Sequence, residues 1–252
     1  MHNTYNNFVS AELNAWQQEM LRPPTFMNAV ARKMQYKLNS YIPDKVHAAI
    51  TTTIKQMIRG MLFGAGFITT KPIQGLNLQQ REIMVLERIK FYQSAAAAEG
   101  GVTGAGGILL GLADFPLLLS LKLKLLFEIA TIYGYDATDY RERVYLLHIF
   151  QLAFSSHEHR REVYQQMVDW ETQKLHLPED IHDFNWRALQ QEYRDYIDLA
   201  KMAQMIPLIG APVGAVVNYR LVKKLGATAM NAYRMRWKEQ QLLQSASFPE
   251  RD

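Results

Sequence analysis

Apolar residues recur three and four positions apart along most of the chain, and sustained alternation of apolar and polar positions is absent. Val85, Ile89, Tyr92 and Ala96 give the clearest example. This periodicity is typical of amphipathic helices rather than strands. The pattern predicts an all-α fold with helices over residues 6–20, 25–39, 43–60, 78–98, 115–133, 140–154, 158–175, 186–205 and 213–240.

Local signals mark the ends of several of these helices. Asp114 with Pro116 predicts a helix start, because an Asp side chain accepts a hydrogen bond from an early backbone N–H and Pro tolerates the first turn. Gly134 is a natural left-handed residue at the end of that helix. Asp139 predicts the next start, and Glu142 three residues later would complete a capping box.

The helix predicted over 115–133 is apolar on nearly every side, which indicates a central position in the fold. Glycines lie four residues apart in several places, a spacing that lets helix backbones approach closely. These pairs are Gly60/Gly64, Gly100/Gly104, Gly107/Gly111 and Gly210/Gly214. No linker is long enough to divide the chain. We therefore predict a single domain over 1–252, with a buried apolar central helix and glycine-rich helix contacts.

Two weakly charged segments, 100–121 and 202–219, approach the length of about 20 residues that a membrane-spanning helix needs. Asp114 and Pro116 interrupt the first segment, and Pro207 and Pro212 interrupt the second. A charge at mid-membrane costs about 2.5–3.5 kcal/mol. We favour burial in a soluble core, and insertion into lipid stays open as the alternative.

Charge is distributed unevenly around a net value of +4. Residues 82–198 hold 18 acidic and 11 basic residues, whereas 199–238 hold seven basic residues and no acidic one. Such asymmetry indicates either an anionic partner or packing of the basic ends against the acidic middle. The chain has no cysteine, which excludes disulfides and thiolate chemistry and fits a reducing compartment.

The last predicted helix carries a basic stripe opposite an apolar one, and Arg236 alone falls on the wrong side. The basic stripe consists of Arg220, Lys223, Lys224, Arg234 and Lys238. A basic amphipathic helix is typical of a membrane-surface element. The alternative is a solvated face whose cations oppose the acidic middle segment. We predict that these five residues bind a membrane or another anionic partner.

Asp114 and Asn218 are the polar residues most worth testing as a site, because both lie among apolar neighbours. Together they would line a pocket of an uncharacterised enzyme or small-ligand binder, although a helix cap and a core hydrogen bond explain them as well. The glycine-rich run lacks the Lys-Ser/Thr of a Walker loop. We predict no catalytic residue, no cofactor and no metal. The pI of 9.1 comes without a nucleic-acid-binding motif, so we predict no nucleic acid partner.

Several segments, in this order and spacing, resemble the EcsC family over roughly residues 24–236. They are Pro43 with Ile50 and Thr51, 104–111, 113–116, 129–136, 206–211, and Val213 and Gly214 with Asn218. The resemblance implies a bacterial helical protein without an assigned reaction. The family takes its name from a protein encoded beside the ATPase and membrane subunits of a bacterial ABC transporter.

The resemblance and the basic helix together lead to a functional expectation. We expect a non-enzymatic protein that is cytoplasmic, peripheral on the inner face of a membrane, and in contact with the anionic membrane surface or with a membrane transporter subunit. The enzyme or small-ligand binder with a pocket near Asp114 and Asn218 is the alternative.

Overall fold

Helices make up most of the described residues, which are 2–23, 44–63, 71–105, 107–155, 159–196 and 211–247 of this computed structural model. In chain order they are α1 His2–Leu21, α2 Asp44–Phe63, α3 Leu78–Ala105, α4 Gly107–Tyr133, α5 Tyr140–Phe154, α6 Arg160–Met167, α7 Trp170–Gln173, α8 Trp186–Tyr196 and α9 Ala211–Ser247. Short 3-10 helices at Lys174–His176 and Ile181–Asp183 lie between α7 and α8. No strand occurs in these ranges, which confirms the all-α prediction. The helix predicted over 25–39 lies outside them.

The predicted central helix is confirmed. Leu119, Leu123, Leu126, Ile129 and Ala130 of α4 are buried, as are most residues between them. α4 contacts α2, α3, α5 and α9, so several helices cover its apolar surface. The helix ends where predicted, since Gly134 has a left-handed φ of 92° and its N–H donates to the Thr131 carbonyl.

α3 and α9 form the most extensive helix contact in the described structure, and they run antiparallel. Residues near the start of α3 meet the C-terminal half of α9, and Gly100 near its end meets Gly214. A Cβ on Gly100 would lie 2.7 Å from the Gly214 carbonyl oxygen, and one on Gly226 would lie 2.5 Å from Ile89 Cγ1. Glycine-rich helix contacts are thus confirmed at Gly100 and Gly214. Gly60 is different, because nothing lies within 4 Å of its Cβ position.

Three local predictions need correction. Asp114 does not begin a helix: α4 starts at Gly107, and both Asp114 and Pro116 lie inside it. Asp139 caps α5 as predicted by accepting from the Arg141 N–H, but the Glu142 carboxylate points into the core instead of completing a capping box. The helix predicted over 158–175 breaks after Met167, where Asp169 adopts a left-handed φ of 54°.

None of the described helices is both long enough and apolar enough to cross a bilayer. The first weakly charged segment lies in α3 and α4, where Phe115, Leu118 and Leu119 are buried. Most of the second segment, up to residue 210, lies outside the described residues.

We predict that Gly100→Ala lowers the free energy of unfolding by about 1–3 kcal/mol, because the added methyl group overlaps the Gly214 backbone. Gly60→Ala is the matched control, since it also replaces a helical glycine but meets open space. It should leave stability unchanged or raise it by up to about 1 kcal/mol. Chemical denaturation of both variants measures the difference. Equal effects would show that α3 and α9 do not require the glycine.

Candidate functional site

The basic stripe of α9 survives in its N-terminal half. Arg220, Lys223 and Lys224 are exposed, and the apolar residues predicted opposite them, including Leu221, Val222 and Leu225, are buried. Within the part of the chain that the structure describes, neither Arg220 nor Lys223 forms an ion pair with a carboxylate. These cations therefore do not serve to neutralise a buried acid. Val216 and Tyr219, one turn earlier, are exposed beside them.

Arg234 is not part of this exposed face, contrary to the prediction. Its side chain is 7% exposed and forms two parallel hydrogen bonds to Glu82, with Nε–Oε1 at 2.7 Å and Nη2–Oε2 at 2.6 Å. Its Nη1 also donates to Glu12 Oε2 at 3.0 Å. The helical spacing was correct, but α1 and α3 cover the stripe at this level. Arg234 thus neutralises acids from two other helices.

Lys238, the last residue of the predicted stripe, is partly buried. Its Nζ donates to Asn14 Oδ1 of α1 at 3.3 Å. The accessible basic face consequently contracts to Arg220, Lys223 and Lys224, which we call the basic face below.

Arg236 explains why one cation fell on the apolar side of the helix. It is 1% exposed, and its Nη1 donates to both oxygens of Glu142 at 2.9 and 2.7 Å. Its Nε donates to Glu171 Oε1 at 2.8 Å, and its guanidinium carbon lies 3.7 Å from the centre of the Tyr135 ring. Tyr233 completes the cluster by donating its hydroxyl to Glu142. The position of Arg236 on the apolar stripe was the sequence signal for this cluster.

A second buried polar group lies near the opposite end of the α3–α9 pair. Lys122 of α4 is 0% exposed, and its Nζ donates to Asn218 Oδ1 at 3.0 Å and to the Leu118 carbonyl at 3.3 Å. Asn218 in turn donates to the Gly214 carbonyl. Sequence reasoning singled out Asn218 but not Lys122. Asp114 lies two turns earlier on α4, about 12 Å along the axis, so a pocket shared by Asp114 and Asn218 stays a prediction.

Lys122 has an altered proton affinity as a result. No carboxylate lies within ion-pairing distance of its ammonium group among the described residues, and burial lowers the pKa of Lys122 to about 7. Desolvation penalises a charge that no nearby carboxylate compensates. A buried amine of this kind can bind or release a proton near neutral pH.

Comparison with known proteins places this arrangement in a family. The model of the "EcsC protein family" matches residues 9–237, which include α1 through most of α9. The chain belongs to the EcsC family. The predicted resemblance is confirmed, and the match extends to α1, whose Glu12 contacts Arg234.

Two proteins of Bacillus subtilis strain 168 show how far the similarity reaches. The chain of this EcsC-family member is 41% identical to "Protein EcsC" over 234 residues, which are 92% of this chain and 96% of the relative. It is 31% identical to "Uncharacterized protein YdbA" over 143 residues, 57% of this chain and 53% of that protein. No solved structure matches the chain. Neither printed name states an activity.

We predict that Lys122→Met changes how stability depends on pH. Between pH 7 and the ordinary lysine pKa of 10.5, the unfolded chain binds one more proton at this position than the folded chain. Raising the pH through this window should therefore stabilise the wild type relative to Lys122→Met, by up to about 1.4 kcal/mol per pH unit. Lys124→Met, at an exposed position on the same helix, should follow the wild type. Parallel unfolding profiles for all three proteins would refute a neutral buried Lys122.

We predict that Arg236→Met lowers the free energy of unfolding by about 3–5 kcal/mol, because it leaves Glu142 and Glu171 without their buried cation. Adding Glu142→Gln to this variant should recover part of the loss. Arg220→Met is the control at an exposed arginine of the same helix and should change stability by less than about 0.5 kcal/mol. Denaturant titrations make the comparison, and similar losses at positions 220 and 236 would contradict it.

Proposed function

We propose that this protein acts by contact at the cytoplasmic face of a membrane and not as an enzyme. The observation that carries the proposal is the exposed basic face of α9, where Arg220 and Lys223 have no carboxylate partner among the described residues. Exposed Val216 and Tyr219 adjoin it. Cations beside apolar side chains suit an interface of anionic headgroups over hydrocarbon.

Electrostatics supports a useful affinity for such a surface. Each Lys or Arg close to an anionic leaflet contributes about 1 kcal/mol, so the three cations of the basic face would contribute about 3 kcal/mol. That energy corresponds to roughly a hundredfold increase in binding. Exposed charges are screened beyond about 8 Å at physiological ionic strength, so this part of the binding should weaken with salt.

The family resemblance favours a membrane setting as well, because it implies a link to a bacterial ABC transporter. A transporter subunit at the inner face of the membrane is therefore the protein partner that fits the proposal. Contact with the membrane surface would bring this chain to such a complex without any catalytic step.

An enzyme or small-ligand binder is the second candidate, and one observation favours it. The buried amine of Lys122 has neutral partners only, in the Leu118 carbonyl and the Asn218 side chain. Amines of this kind serve as bases or nucleophiles when a substrate reaches them. Here the amine is fully enclosed, so a ligand would first have to separate α4 from α9. The accessible basic face makes membrane contact the better proposal.

We predict that the purified protein co-sediments with anionic vesicles at low salt and binds neutral vesicles much less. Reversing the basic face with Arg220→Glu, Lys223→Glu and Lys224→Glu should reduce anionic binding by at least about a hundredfold. The control reverses three exposed cations elsewhere, with Lys55→Glu, Lys71→Glu and Arg161→Glu, and has the same net charge.

Retained binding in the control and loss in the basic-face variant would support the proposal. Equal loss in both variants would show that only net charge matters. If the wild type ignores anionic vesicles, the proposal fails, and ligand screens on the wild type against Lys122→Met become the next step.

A further inference from the structure

One end of the helix bundle exposes apolar side chains from three different helices. Their exposed fractions are 70% for Val102 of α3, 48% for Leu117 of α4, 50% for Val216 of α9 and 44% for Tyr219 of α9. We call these four residues the apolar tip. Single exposed apolar residues are ordinary, but a group rimmed by polar residues indicates an interaction surface.

Two contacts bring the members of the apolar tip to the same level. Val102 and Val216 each lie two residues beyond a glycine of the close Gly100–Gly214 contact. The amine of Lys122 bridges the Leu118 carbonyl and the Asn218 side chain, so Leu117 of α4 is level with this part of α9. The tip is therefore set by packing between helices and not by one flexible segment.

Exposed cations follow the apolar tip on two of its helices. On α9, Arg220 and Lys223 lie four and seven residues after Val216, and on α4, Lys124 lies seven residues after Leu117. Steps of four and seven residues keep side chains on one helix face, and these cations lie about 6–10 Å further along the axes. The result is an apolar end with positive charge at a fixed distance behind it.

This layering matches the structure of a bilayer surface. Peripheral helices bury apolar side chains about 5–10 Å into the boundary between headgroups and acyl chains, while Lys and Arg stay at headgroup level. Tyrosine is enriched at the same boundary, because its ring is apolar and its hydroxyl is polar. Asp114, three residues before Leu117, and Glu99, three residues before Val102, are the acids near this end. Their charge favours shallow insertion over deep insertion.

We infer that the protein docks end-on, with the apolar tip inserted into the headgroup boundary of an anionic bilayer and with Arg220, Lys223 and Lys124 at the phosphates. This inference rests on the proposed membrane contact and adds its orientation and depth. A purely electrostatic contact would leave the apolar tip in water. A second copy of the chain is the competing occupant of the same surface.

Site-specific fluorescence can test the orientation directly, because the chain has no cysteine and each introduced thiol would be the only one. Val102→Cys, Leu117→Cys and Val216→Cys, each labelled with an environment-sensitive fluorophore, report on the tip. Leu175→Cys is the control: it is 69% exposed, and it lies beyond Glu171, which pairs with Arg236. Arg236 is about 30 Å along α9 from Val216.

On addition of anionic vesicles, the three tip probes should shift to the blue and become quenched by lipids that carry a shallow spin label, while the probe at 175 stays unchanged. Bound protein with no shift at the tip would overturn the end-on orientation but leave membrane contact intact. A shift that depends on protein concentration without vesicles would overturn it in favour of self-association. Failure of all the proteins to sediment with vesicles would refute membrane contact and the orientation together.

A second variant separates insertion from attraction. Val102→Ser, Leu117→Ser and Val216→Ser together remove apolar surface from exposed positions and keep every cation. This variant should bind anionic vesicles at low salt but lose the binding that the wild type retains at high salt. Leu175→Ser should behave as the wild type. Salt-resistant binding by the tip variant would overturn the inference.

Discussion

Two buried arginines on α9 tie together the helices of this protein. Arg234 pairs with Glu12 of α1 and Glu82 of α3, and Arg236 pairs with Glu142 of α5 and Glu171 of α7. Removing these charges from water is costly, so each cation is stable only while its acids are in place. The C-terminal half of α9 therefore fixes where four other helices lie, and the position of every other surface of the molecule follows from it.

The N-terminal half of α9 meets a different constraint. There the backbone approaches α3 at Gly100, and the polar contact is between neutral groups of Asn218 and the amine of Lys122. No acid from the neighbouring described helices neutralises Arg220 or Lys223, which stay in solvent. The acidic middle of the chain thus accounts for two cations of the last helix and leaves others available. Both interpretations of the charge asymmetry apply, each to one half of the same helix.

Periodicity predicted the helical fold, the central helix and the bounds of α5, because these depend on local patterns of apolar residues. It placed Arg234 on the exposed face, because spacing shows which residues share a face but not which neighbour covers that face. The partner of Arg234 is 152 positions away in the chain. Asp114 failed for a related reason: a capping signal is also compatible with a helix interior when preceding residues continue the helix. Lys122 gave no signal, since a lone lysine on an apolar helix usually reaches solvent.

The apolar tip distinguishes among partners that net charge alone cannot separate. A nucleic acid would be met by cations spread along a groove, with no use for exposed valine and leucine side chains ahead of them. A bilayer presents hydrocarbon and phosphate at different depths, and Leu117 and Val216 precede their cations by similar distances on two helices. That coincidence needs both helices to be held in register, which the Lys122–Asn218 contact does. The buried lysine therefore has a structural reason to be there even though its desolvation opposes folding.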